Sequence, residues 1–284
     1  QCIMCRPHDS SKWLRDSKIL ATSLTTDAKW DWKHKSEIVI EQFEWYKNQA
    51  FWDSFYESAT DIKDLIFGGG EPLLIKQHKA LIRHLVKIHT NATIVDEELL
   101  ELWTHFKKCH IMLSLDAYGD LNSYIRYPSK WDEIEKHLRI YDNTTGGDII
   151  IDINTTVQAC NINWMPEFAE WIWAQDYKKI GKRTTNGTFH AATLHWPKYL
   201  STKVLPQKSK QAISKKLNDF MSKHLDNPEI QAWQSQVEFM MSEDWSSMLD
   251  QTEDYLKNLD KMRPVRFNEL YEIIGAISIV KIED

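Results

Sequence analysis

The chain has 284 residues, enough for a full hydrophobic core, and its 41 acidic side chains outnumber 35 basic ones, for a formal net charge of -6. This balance argues against the basic surface that sequence-independent binding to nucleic acid requires. No apolar run approaches the roughly 18 residues of a membrane span. Four cysteines fit a reducing compartment better than a disulfide framework. We therefore expect a cytoplasmic protein with no nucleic-acid or membrane partner.

Strand and helix patterns alternate through the first part of the chain, which is typical of a parallel α/β protein. The predicted strands are 62–67, 93–95, 110–116, 148–157 and, more weakly, 188–194. The predicted helices are 10–20, 75–88, 96–108, 130–141 and 165–175. The strand at 93–95 is marginally short. Residues 25–60 form an insertion rich in Trp, with a predicted helix over 36–48, and we expect its aromatic side chains to pack against the domain.

The pattern changes after Pro206, where only helices are predicted. They cover 209–225, 228–241 and 246–260. We therefore divide the chain into an α/β core at 1–205 and a helical C-terminal extension at 206–284, packed on that core because no Gly/Ser/Pro linker separates them. An apolar run at 272–280 could be an edge strand or an interface.

Cys2-Ile3-Met4-Cys5 is a C-x-x-C motif. An isolated motif of this kind can be a redox dithiol, half of a zinc site or an accidental spacing. The other two thiols, Cys109 and Cys160, form neither a second C-x-x-C nor a C-x-x-C…H-x3-H arrangement, which disfavours zinc.

A glycine-rich turn, Phe67-Gly68-Gly69-Gly70-Glu71-Pro72, follows the first predicted strand. Glycines let the backbone approach a ligand closely, and a carboxylate accepts hydrogen bonds from an ammonium group. Taken alone, three glycines are more often a flexible turn.

Together, the two motifs resemble the cluster loop and the cofactor-binding turn of radical S-adenosylmethionine (SAM) enzymes. Residues 6–13, 124–131, 155–158 and 239–245 resemble segments of the twitch-domain-containing radical SAM proteins, a branch related to the SPASM peptide-modifying enzymes. The resemblance extends from Gln1 to about Arg263. The family's loop reads Cys-x3-Cys-x2-Cys, so we expect this chain to begin after the first cysteine of a longer, N-terminally extended enzyme.

The resemblance implies a partial (β/α)6 TIM-like barrel without its first strand. It implies an enzyme that cleaves SAM reductively at a 4Fe-4S cluster, using an external electron donor, to make a 5'-deoxyadenosyl radical. The substrate would be a peptide or a small metabolite. The alternative is a non-catalytic binding module whose C-x-x-C holds zinc or a redox disulfide.

The resemblance also implies roles for individual residues, with no catalytic residue indicated. Cys2 and Cys5 match the second and third cluster ligands. The positions that match SAM-binding residues are Met4, Gly69, Gly70, Glu71, Asn91, Ser114, Asp116 and Arg126. Three of these have structural alternatives: Asp116 could cap a turn, Ser114 could bond to the backbone, and Arg126 could be a surface cation stacked on tyrosines.

Overall fold

A computed structural model describes residues 3, 13–29, 32, 47–58, 66–67, 87–104, 109–144, 149–180 and 189–264. Its centre is a five-stranded sheet whose spatial order, β1-β2-β3-β4-β5, follows the chain. All four strand pairs are parallel. The strands are β1 (Ile66–Phe67), β2 (Lys87–Thr90), β3 (Cys109–Ser114), β4 (Ile149–Val157) and β5 (Phe189–Thr193). The predicted α/β class is confirmed, and the strand order is that of consecutive strands in a partial (β/α) barrel.

Two described helices precede the first strand, and the others lie between β2 and β5 or after the last strand. In the described part of the chain they are α1 (Trp13–Ser23), α2 (Gln49–Ser58), α3 (Glu97–Thr104), α4 (Gly119–Ile125), α5 (Trp131–Asn143), α6 (Met165–Ala174), α7 (Gln207–Lys223), α8 (Pro228–Ala232), α9 (Gln234–Met241) and α10 (Leu249–Asp260). None of these helices is long and apolar enough to cross a membrane.

Strands β3 and β4 each have one apolar and one mostly polar face, because successive side chains point to opposite sides of a strand. Ile111, Leu113, Ile151 and Ile153 are buried in the main hydrophobic core, together with Leu138 of α5. The opposite face carries polar side chains on three neighbouring strands, namely His110, Ser114, Asp152, Asn154, Thr156 and His190. The polar side chains therefore extend to the carboxyl ends of the strands, where Ser114 and Thr156 lie.

The sequence prediction was wrong between residues 87 and 95. The helix predicted over 75–88 does not include its last two residues, since Lys87–Thr90 is strand β2 and pairs with both β1 and β3. Residues 93–95 are not a strand. They follow a turn in which Asn91 Oδ1 accepts hydrogen bonds from Thr93 N at 3.0 Å and Thr93 Oγ1 at 2.6 Å. Pairing with neighbouring strands, which local patterns do not reveal, decides the conformation here.

Other helix boundaries also differ from the predictions. The helix predicted over 36–48 falls almost entirely outside the described residues, while the insertion forms α2 immediately afterwards. The short helix α4 was not predicted, and the helix predicted over 228–241 is divided at Trp233 into α8 and α9. Trp32 and Trp52 of the insertion are buried, as expected for aromatic side chains that pack against the domain.

Helix α10 ties the C-terminal helices to the start of the chain. Asp254 Oδ2 accepts hydrogen bonds from the backbone N–H groups of Thr25 and Thr26, at 2.7 and 3.0 Å. The Tyr255 ring stacks on Trp32 with 5.8 Å between ring centroids. Side chains of α10 belong to the same hydrophobic core as those of the sheet. The chain division at residue 206 stays a prediction.

Candidate functional site

A buried ion pair between Asp116 and Arg126 lies just beyond the carboxyl end of β3. Arg126 Nε is 2.8 Å from Asp116 Oδ2, and Arg126 Nη2 donates to Asp116 Oδ1 at 3.0 Å. The Asp116 side chain is 0% exposed and that of Arg126 is 8% exposed. The planar guanidinium contacts both carboxylate oxygens, a geometry that lysine cannot reproduce.

Helix α4 brings Arg126 back to the strand end. Gly119 starts the helix with φ at +63°, a conformation that favours glycine. The helix buries Leu121 and Ile125 and ends at Ile125. The backbone N–H of the next residue, Arg126, donates to Asn122 O at 2.8 Å. Asn122 Oδ1 in turn accepts from the backbone N–H of Asp116 at 3.0 Å. The nine residues between Asp116 and Arg126 thus form a turn and a short helix that bring the two charged side chains together.

The same pair is bonded to the neighbouring strand β4. Thr156 N donates to Asp116 Oδ1 at 2.8 Å, and Asn161 Nδ2 donates to Asp116 O at 2.9 Å. The hydroxyl of Thr155 donates to Leu115 O at 2.7 Å. Asp116 therefore joins the ends of β3 and β4 to α4.

These contacts bear on the roles expected for Asp116 and Arg126. The sequence interpretation gave Arg126 a ligand carboxylate as its partner; in the structure Arg126 pairs with the Asp116 carboxylate. Arg126 is buried, so it is not the surface cation considered as an alternative. Contact of either residue with SAM stays a prediction.

The structure places Asn91 and Ser114 at the same edge of the sheet. Asn91 directly follows β2, Ser114 ends β3, and the ladder aligns Thr90 with Leu113. Asn91 and Ser114 therefore occupy neighbouring positions at the carboxyl ends of two paired strands. Both are partly exposed, and their proposed contacts with SAM stay predictions.

Ile3, between the two N-terminal cysteines, is held close to Arg126. Ile3 N donates to Ile125 O at 2.8 Å, and Tyr255 Oη donates to Ile3 O at 2.7 Å. Ile3 is 1% exposed. Cys2, Met4 and Cys5 lie outside the described residues. The sequence interpretation missed the roles of Ile3 and Tyr255, and the available signal was Tyr255's place among the apolar residues of a predicted helix.

The glycine-rich turn directly follows β1 in the sequence. β1 ends at Phe67, and Gly69, Gly70 and Glu71 lie outside the described residues. Their predicted role in binding SAM is therefore untested.

Two histidines share one buried carboxylate on the polar face of the sheet. Asp152 Oδ2 is 2.7 Å from His110 Nε2 and 3.4 Å from His190 Nε2. Burial would raise the pKa of the Asp152 carboxyl, but the hydrogen bonds and charges of the two histidines outweigh burial and lower the pKa below its usual value. Asp152 is ionised at neutral pH and orients both rings. The sequence interpretation had treated His110 as structural.

Cys109 and Cys160 are poor candidates for metal ligands. Both are buried, and burial raises the pKa of each thiol to about 12. The neutral thiol is a weak ligand, because metals bind the thiolate. Within the residues that the structure describes, no cluster of three or more His, Cys, Asp or Glu side chains could hold a metal ion.

No protein-family profile matches this chain, and no curated protein matches it. Several solved structures are similar. One is anSMEcpe with bound AdoMet, which is 16% identical over 60% of this chain and 50% of its own, with a TM-score of 0.45. Another is SuiB of Streptococcus suis bound to S-adenosylmethionine, 15% identical over 61% of this chain and 39% of its own, with a TM-score of 0.43. The chain spans half or less of the length of these proteins.

The Asp116–Arg126 pair can be tested by removing its cation. The substitution Arg126→Met leaves a buried carboxylate without its counter-ion, and we expect it to lower the free energy of unfolding by about 3–5 kcal/mol. Urea denaturation at neutral pH measures the change. Arg139→Met is the matched control, because the exposed Arg139 bonds to Gln175 at the surface, and its loss should be under about 1 kcal/mol. Similar losses in the two variants would contradict the importance of the buried pair.

The Asp152 network predicts a defined pH dependence of stability. Because the pKa of Asp152 is lower in the folded than in the unfolded chain, its ionised form stabilises the fold above the ordinary value of 3.8, and this contribution is lost as pH falls through the folded pKa. Asp152→Asn should cost about 1.5–3 kcal/mol at pH 7. The difference from wild type should shrink below pH 3.8. Asp132→Asn, at an exposed position of α5, is the control. A pH-independent difference for Asp152→Asn would contradict the network.

Proposed function

We propose that the chain is the core of a radical SAM enzyme that abstracts a hydrogen atom from a peptide or a small metabolite. The observation that carries this proposal is the hydrogen bond from Ile3 N to Ile125 O. This bond attaches Ile3, which lies between Cys2 and Cys5 in the sequence, to Ile125. The next residue, Arg126, is bonded to Asp116 in the turn after β3. Parallel α/β proteins gather their ligands at the carboxyl ends of strands. The C-x-x-C motif is thereby linked to the edge where such a cofactor would bind.

The donor chemistry of the chain fits an iron-sulfur cluster. Fe–S clusters are held by cysteine thiolates, and the neutral, buried Cys109 and Cys160 are unsuitable. Cys2 and Cys5 would be the ligands from this chain, with a third cysteine expected four residues before Cys2 in a longer protein. When bound, the cluster and SAM supply reductive cleavage to the 5'-deoxyadenosyl radical.

The residues of the chain would bind and orient SAM. We assign Glu71 to the ammonium group, Gly69 and Gly70 to close backbone approach, and Met4 to contact with the adenine. Asn91 and Ser114 would contact the ribose or the carboxylate from the edge they share. We assign Arg126 to the SAM carboxylate, for which a planar guanidinium is well shaped. An external electron donor and a cytoplasmic location complete the proposal.

Anaerobic reconstitution tests the proposal. The protein, extended upstream to include the expected cysteine, is treated with iron and sulfide, and its iron content and absorption spectrum are measured. We expect about four irons per chain and charge-transfer absorption. The unextended chain should retain iron poorly. Cys5→Ser in the extended protein should lose the cluster, whereas Cys109→Ser should keep it. Stoichiometric zinc without charge-transfer absorption would favour the binding-module alternative and contradict the enzyme.

The role of Glu71 can be measured separately in the extended protein. Glu71→Gln removes a charge-assisted acceptor, which costs about 1.5–3 kcal/mol for a bond of this type. SAM affinity should therefore fall about tenfold or more, at about 1.4 kcal/mol per factor of ten, with iron content unchanged. Equilibrium binding of SAM provides the measurement, and the exposed Glu133→Gln is the control. Loss of iron with normal SAM binding would show that Glu71 belongs to the cluster and not to SAM.

A further inference from the structure

Ile3 is fixed by two parts of the chain that are far from it in sequence. Its N–H is bonded to Ile125 O at the end of α4, and its carbonyl accepts from Tyr255 Oη in α10. Each peptide unit is a rigid plane. The N–H belongs to the plane that joins Cys2 to Ile3, and the carbonyl belongs to the plane that joins Ile3 to Met4. The two hydrogen bonds therefore restrain the two peptide units that flank the Ile3 Cα atom, the first two of the three units in the C-x-x-C motif.

The ring and the hydroxyl of Tyr255 make different contacts: the ring packs against aromatic side chains, and the hydroxyl donates a hydrogen bond. The residue is completely buried, its ring stacks on Trp32, and it contacts Tyr199 at 5.1 Å between ring centroids. A phenylalanine ring would make the same contacts. A buried hydroxyl needs an acceptor, and here the acceptor is the Ile3 carbonyl.

Helix α10 is itself anchored on either side of this contact. Asp254 binds the Thr25 and Thr26 N–H groups. Tyr124 Oη donates to Asp260 Oδ1 at 2.9 Å, and Arg263 Nη1 donates to Tyr124 O at 2.6 Å. Tyr124 immediately precedes Ile125. The helix that supplies Tyr255 is thus attached to the same end of α4 that accepts the Ile3 N–H, so the three parts form a closed set of contacts.

We propose that Tyr255 is a positioning residue for the C-x-x-C motif. Its hydroxyl holds the Ile3 carbonyl and so restrains the backbone between the two cysteines of the sequence motif against the end of α4. In its consequence for cluster binding, this proposal rests on the proposed function. The hydrogen-bonded restraint itself is independent of any metal.

The test compares two substitutions in α10 of the extended protein. Tyr255→Phe removes the hydroxyl bonded to Ile3 and keeps the ring. Thr252→Val is the matched control, because it also removes a buried hydroxyl, one that donates to Tyr199 O at 2.5 Å and does not contact Ile3. Both variants lose one buried hydroxyl group together with its hydrogen bonding, so a merely structural role would give similar effects in the two.

Two readouts are measured. The first is hydrogen–deuterium exchange of the N-terminal peptide in the metal-free protein, where the Ile3 amide of Tyr255→Phe should exchange about tenfold faster or more, and Thr252→Val should match wild type. The second is the rate at which reconstituted protein releases iron to a chelator, which should rise several-fold in Tyr255→Phe alone.

The outcomes separate the two proposals. Equal exchange in Tyr255→Phe and Thr252→Val would overturn the positioning role. Faster exchange in Tyr255→Phe with unchanged iron release would overturn its consequence for the cluster. Faster exchange in a protein whose wild-type form binds no iron would support the restraint and contradict the radical SAM function.

Discussion

The buried pair of Asp116 and Arg126 is the contact on which the carboxyl edge of the sheet depends. Burying two charges is costly, and their attraction compensates only when geometry and additional hydrogen bonds are favourable. Both conditions hold here: the guanidinium contacts both carboxylate oxygens, and Thr156 N adds a further hydrogen bond. The arrangement of β3, β4 and α4 is therefore tightly specified, since displacing any of them would leave a buried charge without its partner.

The fixed end of α4 extends this specification to the termini of the described chain. Ile125 O accepts from Ile3 N, Tyr124 Oη donates to Asp260 Oδ1, and Tyr124 O accepts from Arg263 Nη1. Residues that are far apart in the sequence, at its two ends and in α4, are thus neighbours in space. The Asp116–Arg126 pair fixes the end of α4, and Ile125 O at that end binds the N–H of Ile3. Tyr255 of α10 then binds the carbonyl of Ile3.

The polar face of the sheet is organised around one buried carboxylate, that of Asp152, and two histidines. Asp152 is buried in the middle of a parallel sheet, where an isolated carboxylate would be strongly destabilising. Its two histidine neighbours come from the strands on either side, so the parallel pairing of β3, β4 and β5 creates the network. Such a network rigidifies the sheet only when its members are satisfied.

The sequence was sufficient to predict those elements whose conformation is decided locally. The apolar run at Ile149–Ile153 predicted β4 to within one residue of its observed bounds, and the amphipathic pattern predicted α5 and α7 closely. β2 was misplaced because Lys87–Thr90 is strand only through pairing on both sides. Asp116 and Arg126 were both predicted to follow the strand now seen as β3, but their mutual contact depends on α4, which is too short to have a clear periodic pattern.

The contact between Tyr255 and Ile3 could not be predicted for a related reason. The two residues are 252 positions apart, and no local pattern specifies which partner a buried tyrosine hydroxyl will find. The entropy lost in closing a loop grows only slowly with its length, so this separation is no obstacle once the chain ends are brought together. One hydrogen bond would still be insufficient to order both segments. In this fold, Asp254, Tyr255, Asp260 and Arg263 all act across the same closure. Their contributions share one entropic cost, and that is why α10 can hold Ile3, which lies near the opposite end of the sequence.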